Sequence, residues 1–381
     1  MKILIVHNFY QSQNIGGEDI VYKNELKSLK NHFNEENIFS YEVSNDKIDK
    51  FKLLFDIWFS WNHYKNIKKI VKEHNIDIVH VHNFYPLLTP SVFKGAKDGG
   101  AKVIHTLHNY RMWCISGIFY RDLVGICEDC INNKISFAGI RNKCFRKSFS
   151  QSFLTQMVFW FYKVIKIFDN IDYFFVLTKF QKYKIMELGI DESKILFKPN
   201  SLFINKSKSM KKENYVYVGR LEESKGIYNL LDTWLLLDNK YILNIVGGGD
   251  LENELKEKYK KNNIIFKGKL SRKETLEVIS CSKYLIQSSL MYETFGLTII
   301  EAMTLGTPVI GFNIGTRNDL IKHEENGFIV NKNELKKIVE YSFDYQNYEF
   351  LSKNAIIMSK KYENEYVTNL QLELYQKILE N

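Results

Sequence analysis

Two basic and two acidic residues in the second half of the chain have the types and spacing expected of a phosphate and sugar site. Arg220 and Lys225 follow a short apolar run, and Gly219 permits a sharp turn after that run. Arginine offers a planar fork and lysine a compact charge, so the pair suits a diphosphate. Glu293 and Glu301 lie eight positions apart, and carboxylates accept hydrogen bonds from sugar or ribose hydroxyls. Together these side chains predict a nucleotide-sugar site.

The surrounding sequence indicates the elements that would position these side chains. An apolar strand predicted over Tyr215–Val218 would place Arg220 and Lys225 at its C-terminal edge. Open α/β sheets bind their ligands at that edge. The next predicted strand, Tyr241–Val246, ends in a glycine-rich turn that consists of Gly247, Gly248 and Gly249.

A helix is predicted to begin at Thr294-Phe295-Gly296-Leu297 and to run through Ala302. Backbone N–H groups without partners at a helix start attract phosphate. Glu293 would lie just before this helix and Glu301 about two turns into it. We therefore expect both carboxylates to face the same cleft.

In this order the motifs resemble those of family 4 retaining glycosyltransferases, which have the GT-B architecture. The matching residues are Gly219, Arg220, Lys225, Gly226, Gly247, Gly248, Gly249, Glu293, Phe295, Gly296 and Glu301. The resemblance covers essentially the whole chain. It implies an α/β fold with two Rossmann-like parallel-sheet domains that face each other across a cleft.

The resemblance also implies a role for each matched residue. Arg220 and Lys225 would neutralise the leaving diphosphate, Glu293 would contact the transferred sugar, and Glu301 would hold the ribose. The residues expected to bind the donor besides Glu301 are Gly16, Gly17, Gly219, Gly247, Gly248, Phe295, Gly296 and Leu297. No D-x-D motif accompanies the site, so we expect transfer without a divalent metal or any other cofactor. Arg317 lies where the family more often has glycines and a glutamate nearby, and it adds a cation suited to an acidic donor or acceptor.

The first half carries a second set of candidate residues. Gly16-Gly17-Glu18 follows the first predicted strand, and a similar loop in the family approaches the diphosphate or the acceptor. His108 ends the strand predicted over Lys102–Leu107, where family members often place a histidine beside the transferred sugar. The match gives this catalytic role to His108, with His105 as the competing residue.

Two further histidines end another predicted strand. His80 and His82 are two positions apart and therefore face the same way. One of them would line the acceptor cleft, and a hydrogen-bonded structural histidine is the alternative. His7 is a weaker candidate.

Four of the five cysteines lie within 31 residues, at Cys114, Cys127, Cys130 and Cys144. A tight cluster in a reducing compartment points to metal rather than to disulfides. One C-x2-C pair with two further thiols can complete a closed, structural zinc site. Unliganded thiols and an iron–sulfur cluster are the alternatives, and Cys281 is predicted to lie in the core.

The positive charge is concentrated in the first half. Residues 1–210 contain 30 Lys and Arg against 20 Asp and Glu, whereas residues 211–381 contain 23 against 24. The segment 131–168 has no acidic residue and interleaves basic with aromatic side chains. Such a segment suits an anionic membrane surface, with a solvated helix as the equal alternative. Nucleic acid is disfavoured because no nucleic-acid motif accompanies the charge.

Alternating strands and helices predict the domain organisation. We expect an acceptor-side domain over residues 1–204, which includes a cysteine-containing loop at 110–146, and a nucleotide-sugar-binding domain over 205–364. A helix over 365–381 would cross back to the first domain. The lysine-rich segment Asn205–Asn214 would be the hinge, and no signal peptide or membrane-length apolar run is evident.

These features predict a cytoplasmic, metal-independent, retaining hexosyltransferase, which could rest on the inner face of the cell membrane. It would move a sugar from a nucleoside-diphosphate sugar to a hydroxyl of a glycan or lipid-linked acceptor, in bacterial surface polysaccharide synthesis. The alternatives are a sugar-nucleotide epimerase, a phosphorylase, a non-catalytic nucleotide-sugar binder and a membrane scaffold. Sugar, acceptor and linkage do not follow from the sequence.

Overall fold

The computed structural model describes residues 1–10, 16–131, 135–204 and 212–380, with the side chains of Lys47, Lys50 and Lys212 excepted. The chain divides into two units. The first unit comprises Met1–Ile118, Glu128–Ser201 and Asn364–Asn381, and the second comprises Phe119–Cys127 and Leu202–Glu363. The loop at 110–146 was expected wholly in the first domain, but its segment 119–127 belongs with the second unit. Most of the predicted hinge, residues 205–211, lies outside the described residues.

The strands of the described chain are numbered in chain order. They are β1 (Ile3–Phe9), β2 (Ile38–Ser44), β3 (Ile78–Asn83), β4 (Lys102–Thr106), β5 (Tyr120–Arg121), β6 (Gly125–Ile126), β7 (Tyr173–Val176), β8 (Ile195–Phe197), β9 (Lys212–Val218), β10 (Ile242–Val246), β11 (Ile264–Gly268), β12 (Ser282–Gln287), β13 (Val309–Phe312) and β14 (Gly327–Val330).

The α-helices are numbered in the same way. They are α1 (Gly17–His32), α2 (Lys50–Asp56), α3 (Trp61–His74), α4 (Ser91–Gly99), α5 (Phe137–Arg141), α6 (Phe149–Val164), α7 (Lys179–Glu187), α8 (Ile227–Leu235), α9 (Glu252–Lys258), α10 (Arg272–Cys281), α11 (Leu297–Thr304), α12 (Arg317–Leu320), α13 (Leu335–Phe343), α14 (Tyr348–Ser359) and α15 (Asn364–Glu380). No helix in the described part of the chain has both the length and the apolar character needed to cross a membrane.

The first unit is built on a six-stranded sheet in the order β2-β1-β3-β4-β7-β8. All neighbouring strands are parallel. Every residue of β3 is buried, as expected where helices cover both faces of a parallel sheet. Helix α15 contributes Tyr375 and Ile378 to the core of this unit, beside Tyr22 of α1 and Phe175 of β7.

The second unit has a six-stranded sheet in the order β11-β10-β9-β12-β13-β14, again with parallel neighbours. Helix α8 illustrates how the sequence specifies the hydrophobic core of this unit. Ile227, Leu230, Leu231 and Trp234 are spaced at i, i+3, i+4 and i+7 and are fully buried. Burying each such leucine contributes about 1.5–3 kcal/mol. Because α8 begins just after Lys225, this packing also fixes the position of that lysine's backbone.

The prediction of two parallel α/β sheets is confirmed, and the strands predicted over Lys102–Leu107, Tyr215–Val218 and Tyr241–Val246 overlap β4, β9 and β10. The sequence reading missed β2, β8 and the antiparallel pair of β5 and β6. Only Ile38 of β2 is buried and the strand contains Ser40, Glu42 and Ser44, so it lacks the Ile- and Val-rich pattern by which the inner strands were recognised. The strands β8, β5 and β6 have only three, two and two residues, which is too short for a periodic pattern.

Candidate functional site

The turn after β9 in the second unit carries the predicted basic pair. The Tyr217 hydroxyl donates a hydrogen bond to the Arg220 carbonyl oxygen at 2.8 Å and so fixes the turn. Gly247 has φ +139°, and a Cβ at this position would lie 1.9 Å from the Gly219 carbonyl oxygen. Only glycine therefore lets the turn after β10 pack against the turn after β9. At Gly248 an added Cβ would lie 3.2 Å from Glu252 Oε2, which is closer than most Cβ contacts in proteins.

Lys225 and Glu293 form the most closely joined pair of the predicted site residues. The ammonium nitrogen Nζ of Lys225 lies 2.7 Å from Glu293 Oε1, and the side chains are 17% and 13% exposed. Burial alone would raise the pKa of Glu293, but the Lys225 ammonium and, more weakly, the Arg317 guanidinium hold it below its ordinary value. The geometry thus supplies an ionised carboxylate beside the Lys225 ammonium.

Arg220 has a different environment from Lys225. Its side chain is 69% exposed, and its guanidinium lies 3.0 Å from Glu222 Oε1. The structure therefore places the two cations of the predicted clamp on one turn, with Lys225 fixed by Glu293 and Arg220 extended into solvent. A long, exposed arginine can reorient towards a phosphate at little cost, because the surface ion pair that it leaves contributes at most about 1 kcal/mol.

Helix α11 begins later than predicted. Leu297 is its first residue, and Gly296 precedes it as the N-cap with φ +91°. Glu301 therefore lies about one turn into the helix, and the predicted two turns are wrong. Phe295 is buried and packs against the Tyr362 ring, with ring centroids 5.6 Å apart, so it anchors the entry to the helix.

The two glutamates have separate basic partners. Glu301 lies 3.1 Å from the guanidinium of Arg272, at the start of α10, whereas Glu293 pairs with Lys225. Burial raises the pKa of Glu301, and Arg272 opposes this effect. The sequence reading did not identify Arg272, because a single arginine at a helix start carries no distinctive spacing.

Arg317 is fully buried and acts electrostatically on Glu293. Its Nε donates to the Phe312 carbonyl oxygen at 2.9 Å, and neither Nη atom has a hydrogen-bond partner among the described residues. Burial lowers the pKa of Arg317 to about 10, while Glu293 acts in the opposite direction. Thr316, its neighbour in sequence, donates from its hydroxyl to the Glu293 carbonyl oxygen at 2.6 Å.

In the first unit, His108 lines a small pocket at the C-terminal ends of β3 and β4. The pocket is also lined by His82, Tyr85, Asn109, Arg111 and Met112. The Arg111 guanidinium lies over the Tyr85 ring at 5.2 Å and over the Phe145 ring at 5.5 Å, so two aromatic faces hold a cation in the pocket wall. This composition suits a polar ligand that bears hydroxyl groups.

A buried network of hydrogen-bonding side chains contacts His108 through His82. His82 Nδ1 lies 2.9 Å from His108 Nε2, and His82 Nε2 lies 3.1 Å from Glu25 Oε1. The Lys198 ammonium forms an ion pair with the same carboxylate. Burial, followed by the effects of His82 and other nearby groups, lowers the pKa of His108 well below its ordinary value. His108 and His82 are therefore part of one connected arrangement.

The sequence reading missed Glu25 and Lys198. Glu25 lies on α1 between Val21 and Leu29, at the four-residue spacing of the buried face. A charged residue within an apolar stripe was the signal that could have revealed a buried ion pair.

The other histidines of β3 and β4 are hydrogen-bonded as well. His80 is buried, with Nδ1 2.6 Å from the Tyr375 hydroxyl and Nε2 2.6 Å from Thr106 Oγ1. His105 Nδ1 lies 2.8 Å from the Val81 carbonyl oxygen, and burial lowers the pKa of His105 to about 4.

Asp19 organises the glycine loop before α1. Its carboxylate accepts hydrogen bonds from Gly16 N at 3.1 Å and from Tyr10 N at 3.4 Å, and it lies 2.8 Å from His7 Nε2. Gly17 is the first residue of α1 and is exposed.

Glu18 follows this glycine pair and lies near Asn109 and Arg111 of the pocket wall. Burial, followed by Asp19, raises the pKa of Glu18 to about 7. One of its oxygens, Oε1, is buried and has no hydrogen-bond partner among the described residues. Glu18 is thus a carboxyl group that titrates near neutral pH beside the pocket.

The residues described by the structure contain one group of three side chains that could share a metal ion: Glu25, His80 and His82. Their ligand atoms already contact neighbouring side chains, and the Lys198 ammonium opposes a second cation. We therefore interpret this group as a hydrogen-bond network.

The candidate zinc ligands do not form such a group. Cys114, Cys130 and Cys144 belong to the first unit and Cys127 to the second, and none of them forms a disulfide. The zinc site therefore stays a prediction. Cys281, expected in the core, is partly exposed.

Two family models match the chain. The model described as Glycosyl transferases group 1 matches residues 200–379, and the model described as Glycosyltransferase Family 4 matches residues 30–202.

Curated relatives include bacterial proteins, two of which are named as sugar transferases. The chain is 25% identical over 219 residues to an uncharacterized 41.2 kDa protein in the cps region of Klebsiella pneumoniae, a match that covers 53% of this chain and 60% of that protein. It is 28% identical over 213 residues to the Escherichia coli UDP-Gal:alpha-D-GlcNAc-diphosphoundecaprenol alpha-1,3-galactosyltransferase, which covers 49% and 53%. It is 25% identical over 177 residues to the Escherichia coli O-antigen chain mannosyltransferase C, which covers 44% and 47%. The matches thus span about half the length of these three curated relatives.

Solved structures share the fold along nearly the whole chain. The Anabaena protein HepE in complex with UDP has a TM-score of 0.67 at 16% identity, with 99% of this chain and 100% of that chain covered. Sucrose-phosphate synthase from Thermosynechococcus elongatus has a TM-score of 0.71 at 17% identity, with 99% and 98% covered. The two family models together account for residues 30–379, and the chain belongs to the group 1 glycosyltransferases of family 4 type.

Proposed function

We propose that the chain is a retaining glycosyltransferase that moves a sugar from a nucleoside-diphosphate sugar to a hydroxyl of a glycan or lipid-linked acceptor. The observation that carries this proposal is the Lys225–Glu293 pair, with Nζ and Oε1 2.7 Å apart, in the segment that matches the group 1 model. The printed names of two relatives, an O-antigen mannosyltransferase and a galactosyltransferase for a diphosphoundecaprenol acceptor, support a place in bacterial surface polysaccharide synthesis.

The second unit supplies the groups for the donor. Lys225 and Arg220 bind the diphosphate, helped by the first backbone N–H groups of α11. Glu293 accepts hydrogen bonds from hydroxyls of the transferred sugar, and Glu301 accepts them from the ribose. UDP-sugars are the first donors to test, because the HepE complex contains UDP and one relative is named for UDP-Gal.

The reaction replaces one C–O bond by another at the anomeric carbon. The bond from this carbon to the diphosphate breaks, and the bond to the acceptor oxygen forms on the same face of the sugar. The acceptor hydroxyl proton passes to the departing phosphate oxygen, so a nucleoside diphosphate leaves. Lys225 and Arg220 stabilise the charge that develops on this leaving group, which a preorganised cation does well. Because side-chain cations do this, the transfer needs no divalent metal.

The first unit supplies groups for the acceptor side of the reaction. The pocket around His108 contains an imidazole, an amide and a guanidinium, which suit the hydroxyls of a sugar. We assign His108 to a hydroxyl of the acceptor or of the transferred sugar.

The basic segment supports a cytoplasmic enzyme that rests on an anionic membrane surface. Along α6 one face is buried, whereas Phe149 and Phe153 are 58% and 49% exposed on the other. Exposed basic side chains accompany them, namely Arg141, Lys143, Arg146, Lys147, Lys163 and Lys166. Co-sedimentation should show binding to vesicles with anionic lipid and little binding to zwitterionic vesicles. Equal binding to the anionic and the zwitterionic vesicles would favour the alternative, in which the basic segment is a solvated helix.

Donor binding tests the proposed function most directly. Thermal-shift measurements with UDP-, GDP- and dTDP-sugars should reveal one that stabilises the protein, by about 2.7 kcal/mol at a concentration of 100 Kd. Transfer is then measured with that donor, and NMR of the product reports the anomeric configuration. An excess of EDTA should leave the rate unchanged. Binding without transfer would favour a non-catalytic nucleotide-sugar binder, and no stabilisation by any donor would contradict the proposal.

A further inference from the structure

Glu25, His82 and His108 form a continuous chain of hydrogen-bonding side chains. It runs from α1 through β3 to the residue pair that follows β4, with distances of 3.1 Å between Glu25 Oε1 and His82 Nε2 and 2.9 Å between His82 Nδ1 and His108 Nε2. Glu25 and His82 are buried, whereas His108 is partly exposed in the pocket. A buried carboxylate is thereby connected to a histidine that a ligand can reach.

Glu25 is ionised and can only accept hydrogen bonds. The Lys198 ammonium contacts its carboxylate, and Gln371 Nε2 donates to Oε1 at 2.6 Å. Burial would raise the pKa of Glu25, but Lys198 and then His82 hold it well below its ordinary value. A carboxylate without a proton has no hydrogen to donate, so the proton between Glu25 and His82 lies on His82 Nε2.

His82 then determines the protonation of His108. A neutral imidazole carries one N–H, so with the proton on Nε2 the Nδ1 of His82 is an acceptor. A second proton on His82 would add an uncompensated charge to a buried group in which Lys198 already balances Glu25. His108 Nε2 must therefore donate to His82.

We propose that Glu25 and His82 are positioning residues that hold His108 as the tautomer with its proton on Nε2. Nδ1 of His108 then carries no hydrogen and can act only as a hydrogen-bond acceptor. The Glu25 carboxylate and the His82 imidazole thus act as the third group does in catalytic triads, where it fixes the tautomer of the reacting histidine. A role of His108 towards a sugar hydroxyl rests on the proposed function, whereas the tautomer does not.

His80 does not compete for this role. Its Nδ1 contacts the Tyr375 hydroxyl and its Nε2 contacts Thr106 Oγ1, both at 2.6 Å. The ring lies against His82 with centroids 4.5 Å apart. His80 therefore supports the orientation of the His82 ring without extending the chain to the pocket.

The tautomer can be measured without any substrate. In the full chain labelled with ¹⁵N-histidine, long-range ¹H–¹⁵N spectra at neutral pH should show both His82 and His108 protonated on Nε2 only. The spectrum of His108→Gln assigns the resonances by their loss. A proton on Nδ1 of His108, or protons on both nitrogens, would overturn the proposal.

Substitution of His82 tests the causal link. His82→Phe keeps a ring in place but removes both nitrogens, so His108 should change to a mixture of tautomers. His82→Gln is a second variant for the case in which the first fails to fold, because it keeps a donor for Glu25 but no acceptor at the place of Nδ1. The control is His63→Phe, which removes a histidine bonded to Tyr41 at 2.8 Å, outside the pocket. An unchanged His108 spectrum in both His82 variants would contradict the proposal.

Kinetics separate this proposal from the proposed function. With an active donor and acceptor, His82→Phe should lower kcat by about 10²-fold with little change in the KM for the donor, because a misplaced group loses rate more than affinity. Wild-type kinetics in His82→Phe and His82→Gln would reject the positioning role while the transferase proposal stands. Absence of transfer in the wild-type chain would reject the transferase proposal, and the tautomer measurement would still be valid.

Discussion

The ammonium nitrogen of Lys225 lies 2.7 Å from Oε1 of Glu293, at the junction between the turn after β9 and the approach to α11. Any diphosphate that binds Lys225 has to compete with this carboxylate. If the ammonium moves to the phosphate, Arg317 is the cation that stays with Glu293. Donor binding and the charge balance of Glu293 are thus coupled.

Loss of the Lys225 charge should abolish most of the proposed activity. Lys225→Ala should lower kcat/KM by about 10²–10³-fold, because a preorganised group that stabilises the leaving diphosphate is removed. Initial rates measure this effect. Lys336→Ala is the control, since Lys336 forms a distant surface pair with Glu340 at 3.8 Å and should leave the rate unchanged. A near-normal rate for Lys225→Ala would dismiss the phosphate clamp.

Arg317→Met should lower the activity without lowering the stability. The variant removes a buried charge whose Nη atoms have no hydrogen-bond partner among the described residues, so the free energy of unfolding should stay the same or rise by about 1 kcal/mol. The rate should fall, because Glu293 loses its remaining counter-ion when Lys225 binds phosphate. Chemical denaturation and initial rates test the two effects. A strongly destabilised variant would show that Arg317 is mainly a structural residue.

Glu18 should make stability depend on pH in the acid to neutral range. Its pKa is raised from 4.5 to about 7, first by burial and next by Asp19, so the folded protein binds this proton more tightly than the unfolded chain. Stability from this group is therefore complete below pH 4.5 and decreases as the pH rises towards 7. The difference in Tm between the two proteins, Glu18→Gln minus wild type, should increase as the pH rises from 4.5 to about 7 and then level off. Glu340→Gln on the exposed face of α13 is the control, and a constant difference for Glu18→Gln would refute the assignment.

Tyr375→Phe should destabilise the first unit. The change leaves His80 Nδ1 without its hydroxyl partner in a buried place, at a cost of about 1–3 kcal/mol in the free energy of unfolding. Urea denaturation measures the loss. Tyr366→Phe on the same helix is a matched control, because Tyr366 is 57% exposed. Equal stability of the two variants would show that the hydroxyl contributes nothing.

The zinc hypothesis predicts about one zinc ion per chain in protein purified without chelator. Cys130→Ser should lower this content, whereas Cys281→Ser, which changes the cysteine outside the cluster, should not. Elemental analysis of both variants decides the matter. Zinc content near zero in the wild-type chain would favour the alternative of unliganded thiols.

The inner strands and the basic turn could be predicted from the sequence because they have local signals. Short stretches rich in Ile and Val identified β3 and β10, and the glycines after β9 and β10 identified the turns. The partners of the site residues could not be predicted in this way. Glu25 and Lys198 are 173 positions apart, and the whole of β12 lies between Arg272 and Glu301. Only the folded chain brings such charges together, and burial then decides their protonation.

Helix α15 has a consequence for the biosynthesis of the protein. Gln371 donates a hydrogen bond to Glu25 across 346 positions of sequence, and Tyr375 fills the core beside β7. A nascent chain that has emerged only as far as residue 201 lacks both side chains. Domains generally fold as units during translation, the N-terminal one first. Here the first unit must stay incomplete, with Glu25 and His80 short of these partners, until the ribosome has added Gln371 and Tyr375.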